Sequence, residues 1–173
     1  MKTFLTPLLS ALGLTASAAP TQAEVAGLDD RMASTIVDTF YGALTASAPA
    51  IVEQRLNAVV DPAWRNCSSD DVCQDLAATI RRWGGRIDVV PELQWRRVAV
   101  LVADDQLVVR VEATGTPKAT FLGLAPSGRS FRVMTIDIHT VRDGRIVETH
   151  HVEDWAGALR QLAPLPADGG AAR

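Results

Sequence analysis

The stretch 129-RSFRVMTIDIHTVRDGRIVETHHV-152 reads as two β-strands joined by a tight turn. Apolar and polar residues alternate along both halves, and Asp143-Gly144 is a two-residue connection of the kind that favours a type I′ hairpin. A two-residue loop sets the register. Arg142 then opposes Arg145, Val141 opposes Ile146, His139 opposes Glu148, and Asp137 opposes His150. Opposed residues share a face, so one face is predicted to carry Phe131, Val133, Thr135, Asp137, His139 and Val141 beside Ile146, Glu148, His150 and Val152. The other face carries Met134, Ile136, Ile138 and Val147, with Arg132, Thr140 and His151 at its ends, and both faces are expected to be at least partly covered.

Upstream, Leu93 to Val102 and Leu107 to Ala113 are two further strands, separated by Asp104-Asp105. Gly115 to Gly128, with Pro117 and Pro126, reads as a loop over one end of the sheet. Before these strands the period changes. Leu28, Met32, Ile36, Phe40 and Leu44 recur every fourth position, with Val37 and Tyr41 widening the stripe, which predicts an amphipathic helix from about Val25. A second helix runs through Ile51, Arg55, Leu56 and Val59 and ends before Pro62. A third is expected to start at Ser68 or Ser69, with Asp70 and Asp71 in its first turn, Val72, Leu76, Ile80 and Trp83 on its buried stripe, and Gly84-Gly85 at its end. Helices first and then a run of antiparallel strands predict an α+β fold with helices packed on one face of a curved sheet.

Residues 1–23 have the form of a secretory signal: Lys2, an apolar run from Phe4 to Leu14, and small residues that allow cleavage after Ala18 or Ala23. The organisation expected is therefore a signal at 1–23, one domain at 24–163 and a flexible Pro/Gly/Ala-rich tail at 164–173. Export to the periplasm or beyond follows, with no integral membrane segment left in the mature chain. Loss of Lys2 with the signal takes the net charge from −3 to −4, since 1–23 holds no Asp or Glu, and a chain of that charge is not a nucleic-acid binder. Cys67 and Cys73, close in sequence and sent to an oxidising compartment, are expected to form a disulfide across the start of the third helix. Two thiols alone would leave a zinc site half filled.

Asp137, His139, Glu148 and His150 form the chemical constellation. Carboxylates and imidazoles held together between apolar walls have their titration displaced by desolvation and by each other, which prepares an acid or base for work near neutral pH. Asp137 is the first candidate for that base. Two readings compete with it. The pairs Asp137–His150 and Glu148–His139 could be ordinary cross-strand contacts, and His139, His150 and one acid supply metal-ligand types without a guaranteed convergent geometry. No metal is expected.

The series Thr114-Gly115-Thr116, Phe121-x-Gly123-x-x-Pro126-Ser127-Gly128-Arg129, Ile136-Asp137-Ile138, Asp143-Gly144-Arg145-Ile146-Val147-Glu148 and Asp154-x-x-Gly157-x-Leu159-x-Gln161-Leu162 resembles the SnoaL-like polyketide cyclase (ester cyclase) family of the nuclear transport factor 2-like superfamily. The segment Val60-Asp61-Pro62-Ala63-Trp64-Arg65-Asn66 falls where that family enters its pocket. The resemblance implies a cone-shaped α+β fold around an apolar pocket and acid/base catalysis without cofactor or metal, an aspartate moving the proton beside a carbonyl. By position that aspartate is Asp137, helped by His150, His139 and Glu148. Phe40, Trp64, Phe121, Phe131, Val133 and Thr135 are the expected substrate contacts. Pro117 and His150 depart from the residues common in the family, a histidine and a tryptophan. The two functions that follow are an exported enzyme acting on a small carbonyl or ester compound, and a non-catalytic binder of a small apolar molecule. A third reading is a homodimer formed through the outer sheet face. Trp95 is read as core rather than as part of that surface.

Overall fold

Asp29 opens the first helix by accepting the backbone N–H of Met32 at 2.7 Å, and α1 (Asp30–Leu44) then buries Ile36, Val37, Phe40, Tyr41 and Leu44. Met32 stays more than a third exposed. The computed structural model describes residues 28–164, so the signal read at 1–23 and all but the first residue of the tail read at 164–173 lie outside the described residues. Pro49 begins α2 (Pro49–Val59), where its missing N–H costs nothing. The remaining elements are β1 (Val60–Ser69), β2 (Val72–Asp75), α3 (Leu76–Gly85), β3 (Gln94–Ala103), β4 (Gln106–Gly115), β5 (Phe131–Arg142), β6 (Arg145–Glu153) and α4 (Trp155–Leu162).

One curved, unclosed sheet runs in the order β2-β1-β6-β5-β4-β3. Its neighbours are antiparallel except β1 and β6, which are parallel. The helices cover the inner face, where Phe40, Leu56, Trp64, Trp83, Leu107, Val109, Val111, Val141 and Ile146 form the main core. A second cluster of Val90, Leu93, Ala113, Phe131, Val133, Ala158 and Leu162 closes one end. Gly115 lies in this second cluster because nothing larger fits: a Cβ there would sit 2.5 Å from Val90 Cγ1. The outer face is less covered than its apolar residues suggested, with Met134, Ile138 and Val152 all exposed. Trp95 turns inward, stacked on Tyr41 at 6.4 Å.

The third helix begins later than expected. Residues 60–75 form a hairpin instead, Ser69 to Val72 making its turn, and Asp75 is the true cap, accepting from Ala78 N at 2.7 Å. Ser and Asp suit a turn as well as they suit a cap, so the signal at Ser68–Asp71 was ambiguous. Val72 is consequently exposed instead of lying on the helix stripe. Pro62 is tolerated in β1 because the pairing with β6 is interrupted between Val60 and Arg65, where no ladder bond is needed from it. Cys67 and Cys73 are directly opposed in this hairpin and are disulfide-bonded, across two strands and not at a helix start. The helix α4 was not read from the sequence, although Trp155, Ala158, Leu159 and Leu162 are spaced as one helical face, of which Ala158 and Leu162 are buried. It is fixed by Asp154, which accepts from Gly157 N at 2.7 Å, and by Gln161, whose side chain brackets the backbone N–H and C=O of Arg132.

Candidate active site

The hairpin of β5 and β6 keeps its two-residue turn, with Asp143 and Gly144 both at positive φ (50° and 72°) and Arg142 opposite Arg145. Val141 still opposes Ile146, but Thr140 opposes Glu148. Val147 is therefore an extra residue, a β-bulge, and every later residue of β6 changes face. His139 opposes Thr149, Ile138 opposes His150 and Asp137 opposes His151. The expected partners Glu148 and His150 are thus on the outer face and partly exposed, where Glu148 lies 3.4 Å from Arg65. Val152, also expected inside, is exposed. In their place the bulge brings Thr149, His151 and Glu153 to the face of Asp137 and His139. A metal site built from His139 and His150 is excluded by the same shift, since the two imidazoles lie on opposite faces. On the outer face Cys67, Glu148 and His150 approach one another within 4.8 Å, but the Cys67 sulfur is committed to its disulfide.

Asp137 and His139 are both buried, and α1 supplies the residue that joins them. Tyr41 Oη lies 2.5 Å from Asp137 Oδ2 and 3.3 Å from His139 Nε2. On the far side of the imidazole, His139 Nδ1 is 2.9 Å from Thr149 Oγ1, which also accepts the indole N–H of Trp64 at 3.0 Å. Trp64 can only donate. One arrangement of protons uses every group once: Trp64 donates to Thr149, Thr149 to His139 Nδ1, His139 Nε2–H to Tyr41, and Tyr41 to Asp137. With the proton on Nδ1, Thr149 would accept twice and its own hydroxyl proton would have no partner in this chain of contacts. The hydrogen bonds therefore all run one way and end on the carboxylate.

Burial, with a smaller contribution from the charge of His151, draws His139 down to about 3, so it is a neutral imidazole at physiological pH. Tyr41 is pushed well above its ordinary range by burial and by the neighbouring carboxylate, and so keeps its proton. Burial is also the largest influence on Asp137 and raises it to about 7; the Tyr41 hydrogen bond and His151 pull it down, and Glu153 pushes it up. A carboxyl group that changes protonation near neutrality results. Beside it His151 Nδ1 lies 3.0 Å from Glu153 Oε1, a contact that fixes the orientation of the ring.

Asp137, His151 and Glu153 line one cavity of about 440 Å³. Phe40, Trp83, Trp95, Phe121 and Trp155 give it largely apolar walls, and Asn66, Thr149, Arg82 and Arg86 add polar groups. Of the expected substrate contacts, Phe40 and Phe121 line this space. Trp64, Phe131, Val133 and Thr135 are buried behind it: Trp64 anchors Thr149, and Phe131 stacks on Phe121 at 5.5 Å. The loop between β4 and β5 covers the end of the sheet as expected, and contributes Leu122 as well as Phe121. Reading the sequence missed Tyr41, Thr149, His151, Glu153 and Arg86. Tyr41 was visible only as part of an apolar stripe, and the β6 residues depended on the bulge.

Comparison with known proteins agrees with this architecture. TsrD from Streptomyces laurentii superposes with a TM-score of 0.69 at 25% identity, over 80% of this chain and 99% of that one. IdmH from Streptomyces antibioticus gives 0.65 at 23% identity, over 75% and 97%. A SnoaL-like polyketide cyclase from Agrobacterium tumefaciens gives 0.62 at 18% identity, over 76% and 98%, a likeness of fold alone. No curated protein sequence matches the chain. The profile of the SnoaL-like polyketide cyclases matches residues 36–162, which take in the later part of α1, the other helices, the sheet and every residue of the cavity just described. The fold is the α+β cone of the nuclear transport factor 2-like proteins, and the chain belongs to the SnoaL-like polyketide cyclase family.

Proposed function

We propose that this protein is an exported enzyme that carries out acid/base catalysis, without a cofactor, on a small carbonyl or ester compound, as a cyclase, isomerase or hydrolase. The observation that carries the reading is Asp137: a buried carboxylate on the wall of an apolar cavity, titrating near neutrality. As a base it takes a proton from the carbon beside the carbonyl, the C–H electron pair passing into the enolate, and it returns that proton at the end of the reaction. Tyr41 steadies the carboxylate between these two states. His151, oriented by Glu153, is the second group able to exchange a proton with the substrate. The test is solvent deuterium exchange, followed by proton NMR, in a panel of small ketones and β-keto esters. Exchange accelerated by the protein and reduced about 10²-fold or more in Asp137→Asn is expected. Equal exchange by the variant would refute the role of Asp137.

The aromatic walls also favour the simpler reading of a carrier for an apolar molecule. Native mass spectrometry of protein from its own source distinguishes the two, because a carrier retains one unaltered ligand. Export is supported by the form of residues 1–23 and by the disulfide, which needs an oxidising compartment. N-terminal sequencing that recovers Met1 would count against it. The exposed Met134, Ile138 and Val152 support self-association through the outer sheet face, which light scattering would detect.

A further inference from the structure

Buried hydrogen-bond donors are almost always paired, so the exceptions in this cavity are informative. Arg86, at the C-terminal end of α3, contributes to the cavity wall, yet its Nε and Nη2 atoms are buried with no hydrogen-bond partner among the described residues. Trp95, on the same cavity wall, has its indole Nε1 in the same condition. No carboxylate of the described residues forms an ion pair with Arg86, although the chain pairs Arg65, Arg96, Arg97, Arg132 and Arg160 on its surface. Burial draws the Arg86 guanidinium down only to about 10, so the group is charged at any physiological pH. Arg86 is half-buried, but leaving these two charged donors buried and unpaired is costly, and the Nε–Nη2 edge is the side that matches the two oxygens of a carboxylate. The acidic groups of the lining, Asp137 and Glu153, come from β5 and β6, and neither forms an ion pair with Arg86. The cavity is thus polarised, with donors from α3 and β3 and proton acceptors from the last two strands.

We propose that the ligand of this cavity is a small aromatic or alicyclic carboxylate, its anionic end held by Arg86 with the Trp95 N–H and its apolar body directed towards Asp137. A monoanion fits better than a phosphate. Arg86 is the arginine of the lining whose guanidinium nitrogens are buried, and a dianion would add charge to a cavity that already holds Asp137 and Glu153. Arg82, exposed at the cavity's edge, draws the anion in. The proposal rests on the cavity being the substrate site but not on Asp137 being the base.

Binding of 2-naphthoate, 2-naphthamide and methyl 2-naphthoate to the full mature protein, followed by tryptophan fluorescence and calorimetry, tests it. The carboxylate should bind about tenfold or more tightly than either neutral analogue, as charge-assisted bidentate pairing requires. Arg86→Met should erase that preference, and Arg86→Lys, which keeps the charge but not the fork, should retain part of it. Asp137→Asn should keep or increase the preference while abolishing exchange, so the two roles fail separately. Circular dichroism of each variant establishes that it is folded. Equal binding of acid and amide, a preference that survives Arg86→Met, or no binding of any of the three would overturn the proposal.

Discussion

Replacing Asp137 by Asn retains an oxygen that can accept from Tyr41 and removes the proton equilibrium at that position. In the folded protein the carboxyl titrates at about 7, against 3.8 for the free side chain. Between these values the folded state holds a proton that the unfolded chain has released, so stability falls as pH rises through this window. At about 1.4 kcal/mol per pH unit, the wild-type carboxylate costs about 4 kcal/mol by pH 8. His139 works in the other direction. Its folded value of about 3 lies below the ordinary 6.5, so it contributes stability that is present above pH 6.5 and lost as pH falls towards 3. In the wild type the two slopes offset each other between about pH 4 and 6.5. The variant, freed of one, should become steadily more stable over that range. Urea unfolding followed by tryptophan fluorescence at half-unit pH intervals gives the difference between variant and wild type, from which all other groups cancel. It should be near zero at pH 4 and reach roughly 2–4 kcal/mol in favour of Asn at pH 8. A difference independent of pH would show that Asp137 titrates as an ordinary carboxyl, and the neutral-pH base would go with it.

Tyr41→Phe removes the hydrogen bond that lowers Asp137, so the acid limb of any pH–rate profile should move upward; an unmoved limb would count against Tyr41 as the carboxylate's donor. Gly115→Ala forces a methyl group against Val90 and should destabilise by about 1–3 kcal/mol in thermal melts, whereas an unchanged melting point would mean that Val90 yields freely. Thiol titration of the unfolded, unreduced mature protein should find neither Cys67 nor Cys73 free. Deleting Val147 removes the bulge without moving any later residue of β6 to the other face, because Thr140 already opposes Glu148 and His139 already opposes Thr149; cooperative unfolding should survive, and an unfolded deletion variant would contradict the register.

Much of this was legible in the chain. The i, i+4 recurrence from Leu28 to Leu44 located α1, Asp143-Gly144 located the hairpin, and alternation along β5 placed Asp137 and His139 inside, all from local rules. The composition of β6 was not sufficient. Ile146 faces the core in either register, and no glycine marks the extra residue at Val147, so the face of every residue after it could not be read from the pattern. Tyr41 and Asp137 are 96 residues apart, beyond the reach of any local pattern. The hairpin of β1 and β2 was hidden for a different reason. Its turn residues are those of a helix start, and Pro62 argued against a strand until the interrupted pairing showed where it is tolerated.

The clasp between α4 and the loop before β5 bears on how molecules reach the cavity. Arg129 Nε donates to the Gln161 carbonyl at 2.6 Å and Ser127 to that of Leu162 at 3.3 Å, while Lys118 N at the other end of the loop donates to Val89 at 2.8 Å. Between these moorings the chain forms a short arch, and it is this arch that presents Phe121 and Leu122 to the interior. Its tip is closed by reciprocal backbone hydrogen bonds between Phe121 and Leu124, both 3.0 Å, around the left-handed Leu122 and Gly123, and the Phe121 ring packs against Phe131 and Trp155, so this wall of the cavity is held in place. Because α4 follows β6 with only Asp154 between them, the fastening of this wall is spliced directly to the strand that carries His151 and Glu153. A disturbance at either would be felt at the other through a single residue.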